Sequence, residues 1–164
     1  MDIGTGAGFP GLPLAMVLPD LHVTLMESTG KKITFLDHII TTLGLANAYT
    51  LRARAEEAGQ QVEHREAYDI VTARAVARLP ILGEYMLPLA KIGGVCIAMK
   101  GQSAHDEAKQ ARRAIEILGG RFSGIEAIPL PGVADPHHLV IIQKIDPTPK
   151  QFPRRPGLPT QKPL

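Results

Sequence analysis

The sequence predicts an α/β fold: a mostly parallel sheet that closes with an antiparallel strand pair. Three observations carry this reading. Short apolar runs alternate with helical patterns as far as Leu118, the pattern of βαβ units. A glycine-rich turn opens the chain. Near the end, two apolar runs follow one another with no helix between them, so they pair antiparallel.

Each element has its own warrant. "MDIGTGAGFPG" supplies the end of a first strand, a glycine turn, and Pro10 at an early helix position, where a missing N–H is harmless. "LHVTLMES" (Leu21–Ser28) reads as a strand ending in an acid. The helix that follows carries Ile33, Leu36, Ile40 and Leu43 on one stripe and stops at Gly44. A strand is expected at Ala48–Arg52, a short helix at Glu56–Gln61 and a strand at Tyr68–Ala75. Leu79–Gly94 reads as a helix closed by Gly93 and Gly94, and Val95–Gly101 as a buried strand ending in Lys100. In the next helix Ser103 is the expected N-cap, with Asp106 in the capping-box position. Ala104, Ala108, Ala111, Ile115 and Leu118 form its apolar stripe. "RFSGIEAIPLP" and "HHLVIIQK" are the antiparallel pair. Six prolines within Asp146–Leu164 exclude regular structure there. The expected organisation is therefore a domain over 1–145 and a Pro-rich basic tail over 146–164.

Composition narrows the function classes. A chain of 164 residues with 45% hydrophobic and 21% charged content has the make-up of one globular domain. A lone Cys forms no internal disulfide, and no apolar run reaches the roughly 18 residues of a membrane span. A cytoplasmic location is expected. The lack of Trp and scarcity of other aromatics argue against a platform of stacked rings for nucleic acid. Charge is uneven. From Lys144 onward five basic residues (Lys144, Lys150, Arg154, Arg155, Lys162) face only Asp146, a net +4, which leaves −2 on the other 143 residues. Such a tail is either a solvated end or an attractor for a polyanion.

The glycine turn contains two overlapping fingerprints. Asp2, Gly4, Gly6 and Gly8 spell D-x-G-x-G-x-G, which suits S-adenosylmethionine, whereas Gly6, Gly8 and Gly11 spell G-x-G-x-x-G, which suits a dinucleotide. Glu27, at the end of the second strand, can accept from ribose hydroxyls in either case. Asp2 discriminates, because a carboxylate repels pyrophosphate but suits the ammonium of a methionine moiety. Pro10 removes a donor that a phosphate at the helix end would use. The G-x-G-x-x-G match is accordingly read as incidental. Other suggestive groups are set aside. Cys96 lies mid-strand, as a buried structural thiol does. Asp135, His137 and His138 lack further ligands at metal spacing, so no metal is expected. Arg112–Arg113 reads as a solvated helix face.

Six segments in order, "DIGTGAGFPGLPLA", "GKKITFLDHI", "ARAEE", "VTARAVA", "MKG" and "FPRRPGLPTQKPL", resemble the ribosomal RNA small subunit methyltransferase G (RsmG/GidB) family. The resemblance implies a Rossmann-like class I S-adenosylmethionine-dependent methyltransferase. Its reaction would be methyl transfer from S-adenosyl-L-methionine to guanine N7 of 16S rRNA, with the 30S small ribosomal subunit as partner and the enzyme a monomer. It further implies that Asp2, Gly4, Gly6 and Gly8 line the methionine moiety, and that Phe9 shapes the turn. Glu27 and Ser28 would hold the ribose, and Ala55 and Glu56 would flank the adenine. Arg74 would lie at the cofactor and contact the target guanine or its phosphate. Lys100, Arg154 and Arg155 would meet RNA phosphates. No general base is expected, since N7 carries a free lone pair. The family has N-terminal helices and a complete first strand before the glycine loop, whereas at most three residues of that strand precede it here. The expectation is a fragment or a late start, with the first strand largely missing. An NAD-dependent dehydrogenase and an inactive nucleotide- or RNA-binding fragment stay open as alternatives.

Overall fold

A computed structural model describes residues 1–164. Its elements run β1 (Asp2–Ile3), α1 (Gly11–Val17), β2 (Val23–Glu27), α2 (Gly30–Leu43), β3 (Ala48–Arg52), α3 (Ala55–Ala58) and β4 (Tyr68–Arg74). They continue with α4 (Leu79–Met86), β5 (Ala90–Lys100), α5 (Ala104–Ile117), β6 (Gly120–Ile128), β7 (His137–Lys144) and α6 (Leu158–Gln161). The strands form one seven-stranded sheet in the order β3-β2-β1-β4-β5-β7-β6. β1 through β5 are parallel, and β7 runs antiparallel to both β5 and β6. β1 is central, and the strand order reverses beside it, so the carboxyl ends of β1, β2 and β4 border the crevice where open α/β sheets bind ligands. No helix is long and apolar enough to cross a membrane.

Strand periodicity feeds two cores. Leu25 packs with Leu12, Ala15 and Leu36 under α1 and α2, while its neighbour Met26 joins Val71, Ala73, Cys96, Ala98, Val140 and Ile142 on the opposite face, as alternation across a strand requires. α4 and α5 cover that second face with Leu79, Leu82, Met86, Ala108, Ala111 and Ile115. The alanines of α5 let it lie close to its neighbours, and its expected stripe is buried from Ala104 to Leu118. Leu36 is fully buried, worth roughly 2 kcal/mol in removed apolar surface.

The structure corrects several expectations. The helix beginning at Leu79 ends at Met86, not at Gly94. Pro88 has no N–H to bond the carbonyl of Glu84, and the chain enters β5 at Ala90. Gly93, at φ +86°, lies where the register against β4 shifts between Tyr68 and Ile70. Leu43, at the end of the expected α2 stripe, is exposed. Ser103 occupies the N-cap position of α5 but makes no capping bond. Its hydroxyl donates instead to Glu107 at 2.7 Å, and Asp106 stays at the surface beside Lys109. The tail is not irregular throughout, since it folds back on the domain and contains α6.

Candidate functional site

The site is built outward from Asp2. Its register neighbours are Leu25 on β2 and Thr72 on β4, which places its side chain on the face under α1. There it is 1% exposed. Oδ2 accepts from the Thr5 hydroxyl at 2.6 Å and the Gly11 N–H at 3.0 Å, and Oδ1 accepts from the Thr72 hydroxyl at 3.3 Å. Burial raises the carboxyl above the usual range, against the lowering pull of these donors. Asp2 therefore braces the glycine loop from behind. All of its hydrogen bonds within the chain are to the loop, the start of α1 and β4.

The loop above it has φ of +61°, +63° and +97° at Gly4, Gly6 and Gly8, a run of left-handed conformations that L side chains adopt only with strain. Gly11 has a different task. A Cβ there would overlap Leu25 and lie 3.0 Å from Asp2 Oδ2. Glycine lets the start of α1 seat closely on the sheet, where its N–H donates to Asp2. The third glycine of G-x-G-x-x-G is thus a packing requirement, in keeping with the reading of that match as incidental to any dinucleotide.

In front of the loop, a cleft opens at the carboxyl ends of β1, β2 and β3. Ile3, Met26 and Val76 give it apolar surface, and Gly4 lets the backbone come close. Glu27 and Ser28 line one side, and Arg54, Ala55 and Glu56 another. Tyr85 reaches in from α4. Burial alone would raise the Glu27 carboxyl. The Thr29 N–H at 2.9 Å and Lys32 Nζ at 3.3 Å outweigh it and hold the group below the usual carboxylate range. It is an ionised acceptor at the end of β2. Glu56, 6% exposed, accepts from the Gly157 N–H at 3.1 Å.

Phe9 and Arg74 fall outside this cleft. With Pro10, Pro13, Leu14 and Val17 they line an adjoining depression, and the Arg74 guanidinium lies 5.8 Å from the Phe9 ring centroid, within cation–π range. Gly6 and Gly8 belong to the loop between the two openings and are not among the cleft-lining residues.

Two of the expected RNA contacts have other partners. Lys100 Nζ meets Glu107 at 2.8 Å and donates to the Ala77 carbonyl at 2.6 Å. Arg154 grips the buried carboxylate of Glu84 through Nε and Nη2, the latter at 2.6 Å. Both pairings have one cause: a buried carboxylate needs a cation, and the nearest one supplies it. Arg155 is exposed and carries no ion pair. Cys96 is fully buried and its thiol is pushed up to about 12 by burial, which keeps it from acting as a thiolate. Sequence reasoning missed Arg54 and Tyr85 as cleft residues and Glu84 as the partner of Arg154. The available signal was "GEYM", an acid inside an otherwise apolar helix.

A central strand running into a braced glycine loop, an ionised acid ending the next strand and a closing antiparallel pair define a Rossmann-like methyltransferase of class I. Solved structures agree on the fold. A 16S rRNA (adenine(1408)-N(1))-methyltransferase from Catenulisporales acidiphilia, with cosubstrate SAM, aligns at TM-score 0.72 and 15% identity over 90% of this chain and 85% of that one. TYW2 of M. jannaschii, in complex with AdoMet, aligns at TM-score 0.66 and 18% identity over 88% of this chain and 68% of that one. The family model for rRNA small subunit methyltransferase G matches residues 1–131. A protein named ribosomal RNA small subunit methyltransferase G from Roseiflexus castenholzii is 52% identical over 100% of this chain and 70% of its own length. One of the same name from Lactobacillus johnsonii is 46% identical over 99% of this chain and 68% of its own. The chain belongs to the rRNA small subunit methyltransferase G family. Neither the dehydrogenase nor the inactive-remnant alternative has support from these relatives.

Proposed function

We propose that this chain transfers the methyl group of S-adenosyl-L-methionine to N7 of a guanine in 16S rRNA, acting in the cytoplasm as a monomer on the small ribosomal subunit. The observation that carries the reading is a cleft at the carboxyl ends of β1, β2 and β3 lined by both Glu27 and Glu56 together with Gly4, Ile3 and Met26. This set of acceptors and apolar surface suits an adenosyl ligand. An ionised acid at the end of β2 accepts from two ribose hydroxyls, and apolar walls beside α3 take a purine face. The Asp2-braced loop brings backbone near the amino-acid end. When bound, S-adenosylmethionine supplies an electrophilic methyl group on a sulfonium.

The residues of the chain have only to bind, orient and exclude water. N7 of guanine holds an in-plane lone pair and no proton, so no side chain must remove one. Rate comes from proximity and orientation. This accords with a site whose ionisable groups are acceptors and cations and whose one thiol is sealed in the sheet. Arg74, exposed beside Phe9 at the rim, is assigned to the guanine O6 or a neighbouring phosphate, because a donor on N7 would occupy the attacking lone pair. Arg155 is assigned to RNA phosphate. Lys100 and Arg154, held by carboxylates, are not.

The test is transfer of labelled methyl from S-adenosylmethionine to 30S subunits and to naked 16S rRNA, followed by chemical cleavage at N7-methylguanine. Label at a cleavable guanine is the expected result. Label on another base, or none on either substrate, would overturn the reading.

A further inference from the structure

The tail is bound at several points, and two of its contacts reach residues that line the cleft. It begins at Thr148, whose N–H donates to Glu66 at 2.7 Å and whose hydroxyl meets the fully buried Lys144. Arg65 then clamps the chain by donating to the carbonyls of Thr148 and Phe152 at 2.7 Å each. Gln60 holds the Pro153 carbonyl at 2.7 Å. Arg154 follows. Its backbone N–H and its guanidinium both donate to Glu84, at 2.7 Å and 2.6–3.1 Å. Glu84 is 0% exposed and sits in α4 one residue before the cleft residue Tyr85. Three residues beyond Arg154, the Gly157 N–H donates to the cleft residue Glu56. Finally the Thr160 hydroxyl meets the Tyr85 hydroxyl at 3.1 Å, and Leu164 packs against the main core.

A segment needed only to cover the core would not have to engage two residues that line one cleft. Glu56 comes from α3 and Tyr85 from α4, and the tail is bonded to both. The Gly157 N–H takes one lone pair of the Glu56 carboxylate and leaves others for a donor in the cleft. The Arg154–Glu84 pair fixes the register of the strap, since a two-point guanidinium–carboxylate contact has one geometry.

We infer that the tail from Thr148 to Leu164 is a positioning strap of the cofactor site: Gly157 orients Glu56, Thr160 orients Tyr85, and the Arg154–Glu84 pair anchors both. The inference rests on the proposed use of the cleft for S-adenosylmethionine. It makes Arg154 a positioning residue for cofactor affinity, with no part in RNA attraction.

The experiment uses the whole chain with S-adenosylhomocysteine titrated calorimetrically, S-adenosylmethionine kinetics on 30S subunits, and RNA binding across a salt series. Arg154→Ala and Thr160→Val are compared with wild type, and circular dichroism checks that each is folded. Arg154→Ala is expected to weaken S-adenosylhomocysteine and raise KM for S-adenosylmethionine about tenfold. kcat at saturating cofactor should stay within about twofold, with the salt dependence of RNA binding unchanged. Arg154→Lys should recover only part, as it keeps charge but not the fork. Thr160→Val, which leaves the buried ion pair intact, is expected to show the same split at smaller size and keeps the test decisive if Arg154→Ala does not fold. Unchanged cofactor affinity in folded variants would overturn the strap. A flattened salt slope with unchanged cofactor affinity would overturn it in favour of an RNA contact. If wild type itself fails to bind S-adenosylhomocysteine, it is the use of the cleft that fails.

Discussion

At the residue scale, Asp2 separates what a residue type suggests from what its surroundings make it do. Its place in D-x-G-x-G-x-G marks the loop correctly, but pairing with Leu25 and Thr72 turns its carboxylate inward. Asp2→Ala leaves the Gly11 N–H without its acceptor in a buried place, and should cost about 1–3 kcal/mol. Urea unfolding is expected to show a lower midpoint with an unchanged slope. Asp2→Asn keeps an acceptor for Gly11 and should retain most stability and cofactor affinity. A fully stable Asp2→Asn that no longer binds S-adenosylhomocysteine would return Asp2 to the ligand. Glu27 was legible as an acceptor ending a strand. The pairing of Arg154 with Glu84, 70 positions apart, was not, because no local pattern links a tail arginine to a helix acid.

At the scale of elements, Glu107 joins three of them. One oxygen accepts from the Leu79 N–H at 2.8 Å, at the start of α4, and meets Lys100 at 2.8 Å, at the end of β5. The other takes the Ser103 hydroxyl, where α5 begins. Burial alone would raise this carboxyl, but Lys100, Ser103 and the Leu79 N–H together hold it below its usual range. Such a group contributes stability that is present above its unfolded value of 4.5 and lost as pH falls through the depressed folded value. Wild type should therefore lose melting temperature steeply as pH falls below about 4.5, and Glu107→Gln, already less stable at neutral pH, should lose less over the same interval. Parallel melting curves in the two proteins would contradict this. Element types followed from periodicity, and β2, β3, β4, β6 and β7 lie where apolar runs stand. A boundary failed where one residue overrode the pattern, since Pro88 ended α4 early, and Ser103 starts α5 as expected but gives its hydroxyl to Glu107 in place of a cap.

At the scale of the whole molecule, the basic excess of the tail is partly consumed by the fold. Lys144 meets Glu66 and is fully buried, and Arg154 is spent on Glu84. The exposed cations that remain near the site include Arg74, beside Phe9, and Arg155. Replacing Arg74 by Ala should lower the magnitude of the slope of log K against log salt for RNA by about one unit and leave S-adenosylhomocysteine affinity close to wild type. An unchanged slope would remove Arg74 from the RNA face. A counted charge is thus a poor guide to a free one, because counting ignores which carboxylates are desolvated beside it.

What the sequence by itself determined about this protein is local: the glycine turn, the order of strands and helices, the closing antiparallel pair, and the acid that ends β2. Each depends on spacing within a few residues, where period 2, period 3.6 and glycine's backbone freedom act directly. Only the tertiary structure decided that Asp2 braces the loop, that Gly11 is a packing glycine, and that the proline-rich tail bonds to Glu56 and Tyr85 of the cleft. Those outcomes depend on which buried groups must find partners across the chain, and burial is a property of the folded whole.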